Sequence, residues 1–251
     1  MSVNVNDRLK STAGPLAENL KTIGYALLIA LFIRIFLFQP FNIPSGSMKP
    51  TLLIGDYLFV AKYEYGLSRH SFPFSPPILD NRLFGSEPKR GDIAVFKLPS
   101  DGRTDYIKRV IGLPGDRIQV TDGVLHINNV PVKREQVEDY LETNEFGATR
   151  RISQFRETLP NGVSFLTLDM YSNGRGDNTR VFIVPEGHFF MMGDNRDNST
   201  DSRFDVGYVP YENYVGQAKF MFFSTDGSSR LWEIWNWPRS TRWSRIFTAI
   251  E

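Results

Sequence analysis

The residues best equipped for chemistry lie in Pro44-Ser45-Gly46-Ser47-Met48-Lys49-Pro50-Thr51-Leu52, where two serines flank a glycine and prolines fence the segment. Proline fixes its own φ and pushes the preceding residue out of the helical region, so this backbone is extended or turned and can present a serine at a fixed angle. A bare Pro-Ser-Gly-Ser is also an ordinary turn. A serine hydroxyl is a weak nucleophile and needs an adjacent base. The three histidines, His70, His126 and His188, lie in no motif that would give a Ser-His-Asp triad. A lysine can serve instead, provided it is neutral. From a reference pKa near 10.4 that takes a depression of about three units, or about 4 kcal/mol, which burial in an apolar site supplies.

Such a lysine stands in Asp105-Tyr106-Ile107-Lys108-Arg109-Val110-Ile111-Gly112-Leu113-Pro114-Gly115-Asp116. Strand alternation puts Lys108 on one face with Tyr106 and Val110, and Ile107, Arg109 and Ile111 on the other. Each face carries one cation among apolar neighbours, so periodicity leaves open which of the two points inward, and Lys108 reads equally well as a snorkelling surface lysine. Arg109 cannot be a base, because a guanidinium keeps its proton. A third stretch, Gly193-Asp194-Asn195-Arg196-Asp197-Asn198-Ser199-Thr200-Asp201-Ser202-Arg203, is dense in carboxylates. Asp194, Asp197 and Asp201 could form a calcium loop, but Arg196 stands where an EF-hand pattern needs its third ligand position.

In this order the three stretches resemble the type I signal peptidases, over a span from the apolar run near the N-terminus to about Phe223. The resemblance implies Ser47 as nucleophile and Lys108 as its general base. It implies an oxyanion hole from the Ser47 backbone N–H and the Ser45 hydroxyl, with Gly46 leaving room for the substrate backbone. By the same likeness Ser199 hydrogen-bonds Lys108, and Asp201 with Arg203 forms an ion pair that holds the loop. The implied substrates are secretory preproteins whose signal peptide ends in a small-x-small segment, bound extended as an added strand. Phe41, Ile43, Met48, Leu52, Leu58, Val95, Tyr106 and Ile107 match the positions lining two shallow pockets; core packing would account for each singly. No metal or cofactor is implied. Two rival readings are a self-cleaving serine-lysine protein of the repressor type, whose only Ala-Gly, Ala13-Gly14, would fall before the anchor, and a tethered periplasmic domain that binds a partner without chemistry.

A chain of 251 residues can hold one large or two small domains, and a net charge of +1 gives no sign of a nucleic-acid partner. Cysteine is absent, which removes thiol nucleophiles, thiolate metal sites and disulfides. Residues 23–38 are apolar apart from Gly24 and Arg34 and would span about 24 Å as a helix, short for a bilayer core of about 30 Å. With Arg34 snorkelling near the end, they read as one tilted or bilayer-thinning transmembrane anchor. Residues 39–43 offer no small-x-small site, so the segment is expected to stay attached. Arg8, Lys10 and Lys21 put residues 1–22 in the cytoplasm. The resemblance places the remainder on the periplasmic side of a bacterial inner membrane, as a single-pass monomer in contact with lipid.

Beyond the anchor the expected fold is mainly β. A catalytic β-domain is laid out in two parts, 39–116 and 186–227, with a second β-domain, 117–185, inserted between them as in the resembled family, and a Trp/Arg-rich tail, 228–251. Strands are expected at 52–54 and 57–60 around a Gly55-Asp56 turn, at 92–98, at 117–120, 124–127, 162–168 and 180–184 in the insert, and at 187–192 and 216–223. Residues 64–88, rich in proline, form an irregular excursion. All four tryptophans fall in the tail, where Trp243, Ile246, Phe247 and Ile250 share one face of a helix. That pattern suits a membrane interface or packing on the β-domain.

Overall fold

The computed structural model describes residues 15–77, 79, 81–143, 147–228 and 232–250. Helix α1 (Pro15–Phe36) has 22 residues, about 33 Å at 1.5 Å per residue. Its stretch from Ala17 to Phe36 is long and apolar enough to cross a membrane. The predicted anchor at 23–38 is corrected at both ends. Glu18 and Lys21 are good helix formers that apolarity alone leaves out, and the helix is thereby long enough for a bilayer core. At the other end Pro40 cannot prolong the helix, and Phe38 already pairs with Ala61 in a strand.

The chain continues through β1 (Phe38–Asn42), β2 (Asp56–Ala61), β3 (Ile93–Lys97) and β4 (Asp105–Gly112). Short strands follow: β5 (Arg117–Thr121), β6 (Val124–Ile127), β7 (Val130–Pro131), β8 (Lys133–Gln136), β9 (Tyr140–Thr143), β10 (Thr149–Thr158), β11 (Ser164–Asp169) and β12 (Phe182–Ile183). Then come β13 (His188–Met192), β14 (Val209–Pro210), β15 (Tyr214–Ser224) and β16 (Thr248–Ala249). The main sheet runs β1-β2-β15-β3-β4-β13-β14, with β16 on β15. Two smaller sheets, β11-β10-β8 with β9 on β10 and β12-β5-β6-β7, are built wholly from 117–183.

The alternation of β3 explains the burial around the site. Ile93 and Val95 join one apolar cluster, Ala94 and Phe96 another, so this part of the sheet is covered on both faces. Neighbouring β4 is therefore buried from Lys108 to Gly112, and both cations are inside, Lys108 at 4% and Arg109 at 0% exposure. The choice between them that periodicity left open does not arise, because no face of this segment meets water.

Several expected elements differ. No strand forms at 52–54: Leu52 N–H bonds Met48 O at 2.9 Å and the Asp56 carboxylate accepts from Leu53 N–H at 2.7 Å, which fold the segment into turns. β8, β9 and β10 had no periodic apolar signal, because Arg150, Arg151, Gln154 and Arg156 leave β10 mostly polar. β10 is held by neighbours on both sides, β11 and β8. The 64–88 excursion is tied down by Arg82, whose guanidinium donates to the Tyr65, Gly66, Tyr211 and Tyr214 carbonyls. The tail helix is not formed. Phe247 takes a left-handed φ of 57°, and Thr248 and Ala249 pair with the edge of β15. Arg245, which a helix would have turned to solvent, reaches the buried Asp56 carboxylate at 2.6 Å and Thr51 O at 2.9 Å.

Gly55 sits in the turn between the serine segment and β2 with φ 89°, where a Cβ would lie 2.1 Å from Thr225 O. Gly55→Ala should cost about 1–3 kcal/mol. The full-length protein in detergent should then melt roughly 2–4 °C lower per kcal/mol, and an unchanged melting temperature would contradict the tight approach.

Candidate active site

Lys108 Nζ donates to Ser47 Oγ at 2.8 Å and to Ile107 O at 2.9 Å. Ser47 is 7% exposed and Lys108 4%. Burial lowers the Lys108 pKa to about 8, against the Asp201 and Asp194 carboxylates, which act to raise it. At this pKa the amine is neutral over part of the physiological range and can accept the hydroxyl proton. Ser45 Oγ lies 3.4 Å from Ser47 Oγ, on the exposed side of the same turn.

The serine turn is stapled to the loop after β13. Asn195 Nδ2 donates to Gly46 O at 3.0 Å, Asn195 N–H to Ser47 O at 3.1 Å, and Thr51 Oγ1 to Asp194 Oδ2 at 2.6 Å. A side chain at Gly193 would put its Cβ 2.6 Å from Ser47 O, so only glycine permits the approach. Asp194 in turn takes both Nε and Nη2 of Arg109 at 2.9 Å, and Asp201 takes Nε and Nη2 of Arg203 at 3.0 and 2.9 Å. Burial pushes the Asp201 carboxyl up, but the Arg203 guanidinium and the Gly193 N–H hold it below its usual value. Glu157 on β10 pairs with Arg196 at 2.8 and 2.6 Å, and Leu168 N–H on β11 donates to Asp194 O at 2.9 Å, so the 117–183 sheets brace this loop.

Among the described residues the Ser199 hydrogen bond to Lys108 is not formed: the Lys108 bonds go to Ser47 and Ile107. Asp194 and Asp201 turn to separate arginines, whereas Asp197 stands with Asp169 and Asp177, their carboxylate oxygens within 4.8 Å of one another, so the three loop aspartates do not converge on one ion.

Beside the pair opens a cleft of about 510 Å³. Phe41, Ile43, Val95, Tyr106 and Ile107 line it, as do Ser45, Ser47 and Lys108. Met48, Leu52 and Leu58 do not; they are fully buried in the apolar cluster shared by Ile43 and Val95 and so support the wall from behind. The sequence reading missed Asn42, Pro44, Asp105, Asn198 and Thr200 in the lining. It also missed the partnership of Arg109 with Asp194, since residues 85 apart in sequence share no local signal. Among the described residues, β4 pairs with β13 only from Arg109 onward, which leaves 105–108 with a free edge facing the cleft. β1 is itself an edge strand, and its Phe41 and Asn42 line the same cleft as 105–108. Two open edges can receive an extended peptide.

Residues 16–223 match the family described as signal peptidase, peptidase S26. The chain belongs to this family. Similar proteins include the signal peptidase I of Rickettsia canadensis, 41% identical over 261 residues and covering 97% of each chain, and that of Rickettsia typhi, 44% identical over 243 residues and 90% of each. A crystal structure of a signal peptidase I from Enterococcus faecalis is 30% identical, covering 53% of this chain and 97% of its own at a TM-score of 0.31. As a family member the chain is a serine peptidase hydrolase that removes signal peptides from preproteins, and the reading of a tethered domain without chemistry is set aside.

The Arg109–Asp194 pair is wholly buried, so removing one partner strands a charge. Asp194→Ala should destabilise the protein by about 3–5 kcal/mol, and Asp194→Leu combined with Arg109→Met should recover much of that loss. Denaturant titration of the single and double variants measures both; a single variant as stable as the parent would contradict the pairing.

Proposed function

We propose that Ser47 and Lys108 are the nucleophile and general base of this peptidase, acting on preproteins after a small-x-small segment. The observation that carries the reading is the 2.8 Å contact between a buried lysine amine and a serine hydroxyl at the end of a peptide-sized cleft. Ser47 Oγ adds to the scissile carbonyl carbon as neutral Lys108 takes its proton. The new oxyanion is held by the Ser47 backbone N–H and the Ser45 hydroxyl. The ammonium then returns the proton to the departing amine, which releases the mature chain and leaves an ester on Ser47. Water, deprotonated by Lys108 in its turn, hydrolyses that ester.

The signal-peptide end would lie as a strand between β1 and residues 105–108, with alternate side chains facing the two walls. Phe41, Ile43, Val95, Tyr106 and Ile107 fill those walls and leave space for small side chains only. The Asp201–Arg203 ion pair holds the loop behind the lysine. Residues 39–116 and 186–227 would work as one catalytic unit, with 117–185 as the inserted brace. In this reading α1 is a single-pass anchor from Ala17 to Phe36, residues 1–16 are cytoplasmic, the catalytic unit is a periplasmic monomer, and Trp232, Trp235 and Trp243, all exposed, meet the lipid interface.

Ser47→Ala and Lys108→Ala should each abolish preprotein cleavage with little change in melting, and Lys108→Arg should be equally inactive because guanidinium keeps its proton. Ser45→Ala should raise the barrier by about 3 kcal/mol. Because only the neutral lysine is a base, kcat/KM should reach a plateau above the Lys108 pKa of about 8. Below it, activity should fall about tenfold per pH unit. Activity in the arginine variant, or a parent kcat/KM that shows no acid limb below about pH 8, would sink the assignment.

The lipid reading has a separate measurement. Tryptophan fluorescence of the full chain in vesicles should be quenched by lipids brominated near the headgroup end of the acyl chain. Fluorescence indifferent to bromine would place the tail away from the bilayer.

A further inference from the structure

A second, smaller cavity, lined largely by charged and polar groups, lies where the C-terminal end of α1 meets the sheet. Its volume is about 200 Å³, and Arg34, Lys62, His70, Phe74, Lys97 and Asp105 are in its wall. Lys62 is 1% exposed, and Nζ donates to Ser71 O at 2.7 Å; no carboxylate pairs with it among the described residues. Lys97 is different, since it is paired with Asp105 at 2.8 Å and donates to Arg103 O at 2.9 Å. The His70 ring is bonded to Ser75 Oγ at 3.0 Å and Arg69 Nε at 3.3 Å, and burial keeps it neutral, with its pKa near 4. Among the described residues the cavity therefore holds one carboxylate, paired with Lys97, and two cations that form no ion pair, Arg34 and Lys62.

A buried ammonium without an anion is costly to keep charged. Burial first, then repulsion from Arg34, lowers the Lys62 pKa to about 8, although Asp105 acts to raise it. An anion in the cavity would offset both effects. Arg34 is in the last turn of α1, at the end of its apolar stretch, which is the level of lipid headgroups in a spanning helix. Phe74, also in the wall, is fully exposed, and an aromatic ring beside uncompensated cations is the chemistry of an interfacial lipid site.

We propose that this cavity binds the phosphodiester headgroup of an anionic phospholipid, with Arg34 and Lys62 on the phosphate oxygens and Phe74 against the upper acyl chain. The proposal rests on α1 crossing the bilayer. Inorganic phosphate shares the recognised chemistry, but the position at the helix end and the exposed Phe74 favour the lipid. Asp105 lines both this cavity and the substrate cleft, so a bound headgroup would sit beside the path of the signal peptide.

The test is native mass spectrometry of the full-length chain in micelles, titrated with phosphatidylglycerol or with phosphatidylcholine. The parent should retain phosphatidylglycerol in preference, and Arg34→Gln and Lys62→Met should each weaken retention about fivefold or more. Lys62 is buried, so its variant is scored only if it melts with the parent; Arg34→Gln, at an exposed position, decides by itself. Equal retention of the two lipids, or a preference unchanged in Arg34→Gln, would overturn the proposal. So would displacement of phosphatidylglycerol by equimolar inorganic phosphate, which marks a free-phosphate site, or variants that retain lipid normally but raise KM for a signal peptide, which marks a peptide pocket. Alkaline carbonate extraction separates the two failures: a chain that stays in vesicles but shows no lipid preference refutes only the headgroup site, whereas a released chain refutes the spanning helix as well.

Discussion

A lysine beside a serine can take its proton only while the amine is neutral, and the desolvation that comes from covering both faces of the sheet around β3 and β4 lowers the Lys108 pKa to about 8. Two carboxylates stand close enough to undo this, and each acts to raise the Lys108 pKa. Both are matched by an arginine: Asp194 by Arg109 and Asp201 by Arg203. The carboxylates thus bind the Gly193 N–H and Thr51 while each stays paired with a guanidinium. Burial outweighs their pull on Lys108, whose pKa still falls.

Positioning is spread over distant parts of the chain. The serine turn is held from one side by Asn195 and Asp194 of the loop after β13, and from the other by Arg245 of the tail, through Thr51 O and Asp56. That loop is itself held by Glu157 and Leu168 of the 117–183 sheets. Each contact closes a long stretch of chain, and the entropy of closure grows only slowly with length. The arrangement makes the site depend on the whole β fold, and the insert and the tail are part of what keeps Ser47 and Lys108 within reach of each other.

Charge is distributed on the same principle at the helix end. Where a cation has to be inside and no function calls for it to be neutral, the fold supplies an anion, as at Arg109, Arg196 and Arg203. Lys108 departs from that pattern because its partner is a hydroxyl. Lys62 departs from it, bonded among the described residues to the Ser71 carbonyl, in a cavity at the C-terminal end of α1.

The three motif stretches, their order, the mainly β character and the presence of an apolar helix were legible in the sequence, because residue type and short-range periodicity survive folding. So were most cleft-lining side chains, although Met48, Leu52 and Leu58 turned out to lie behind the wall, where apolar residues serve equally well. Tertiary structure alone decided the rest. It put Lys108 and Arg109 inside together, since whether a strand has a wet face depends on what packs on it. It formed β10 from a polar segment by pairing it on both sides, and it unwound the expected tail helix in favour of a strand on β15 and an arginine on Asp56. These outcomes are set by non-local hydrogen bonds and desolvation, whose free energies belong to pairs of residues far apart in the chain and leave no mark on either one alone.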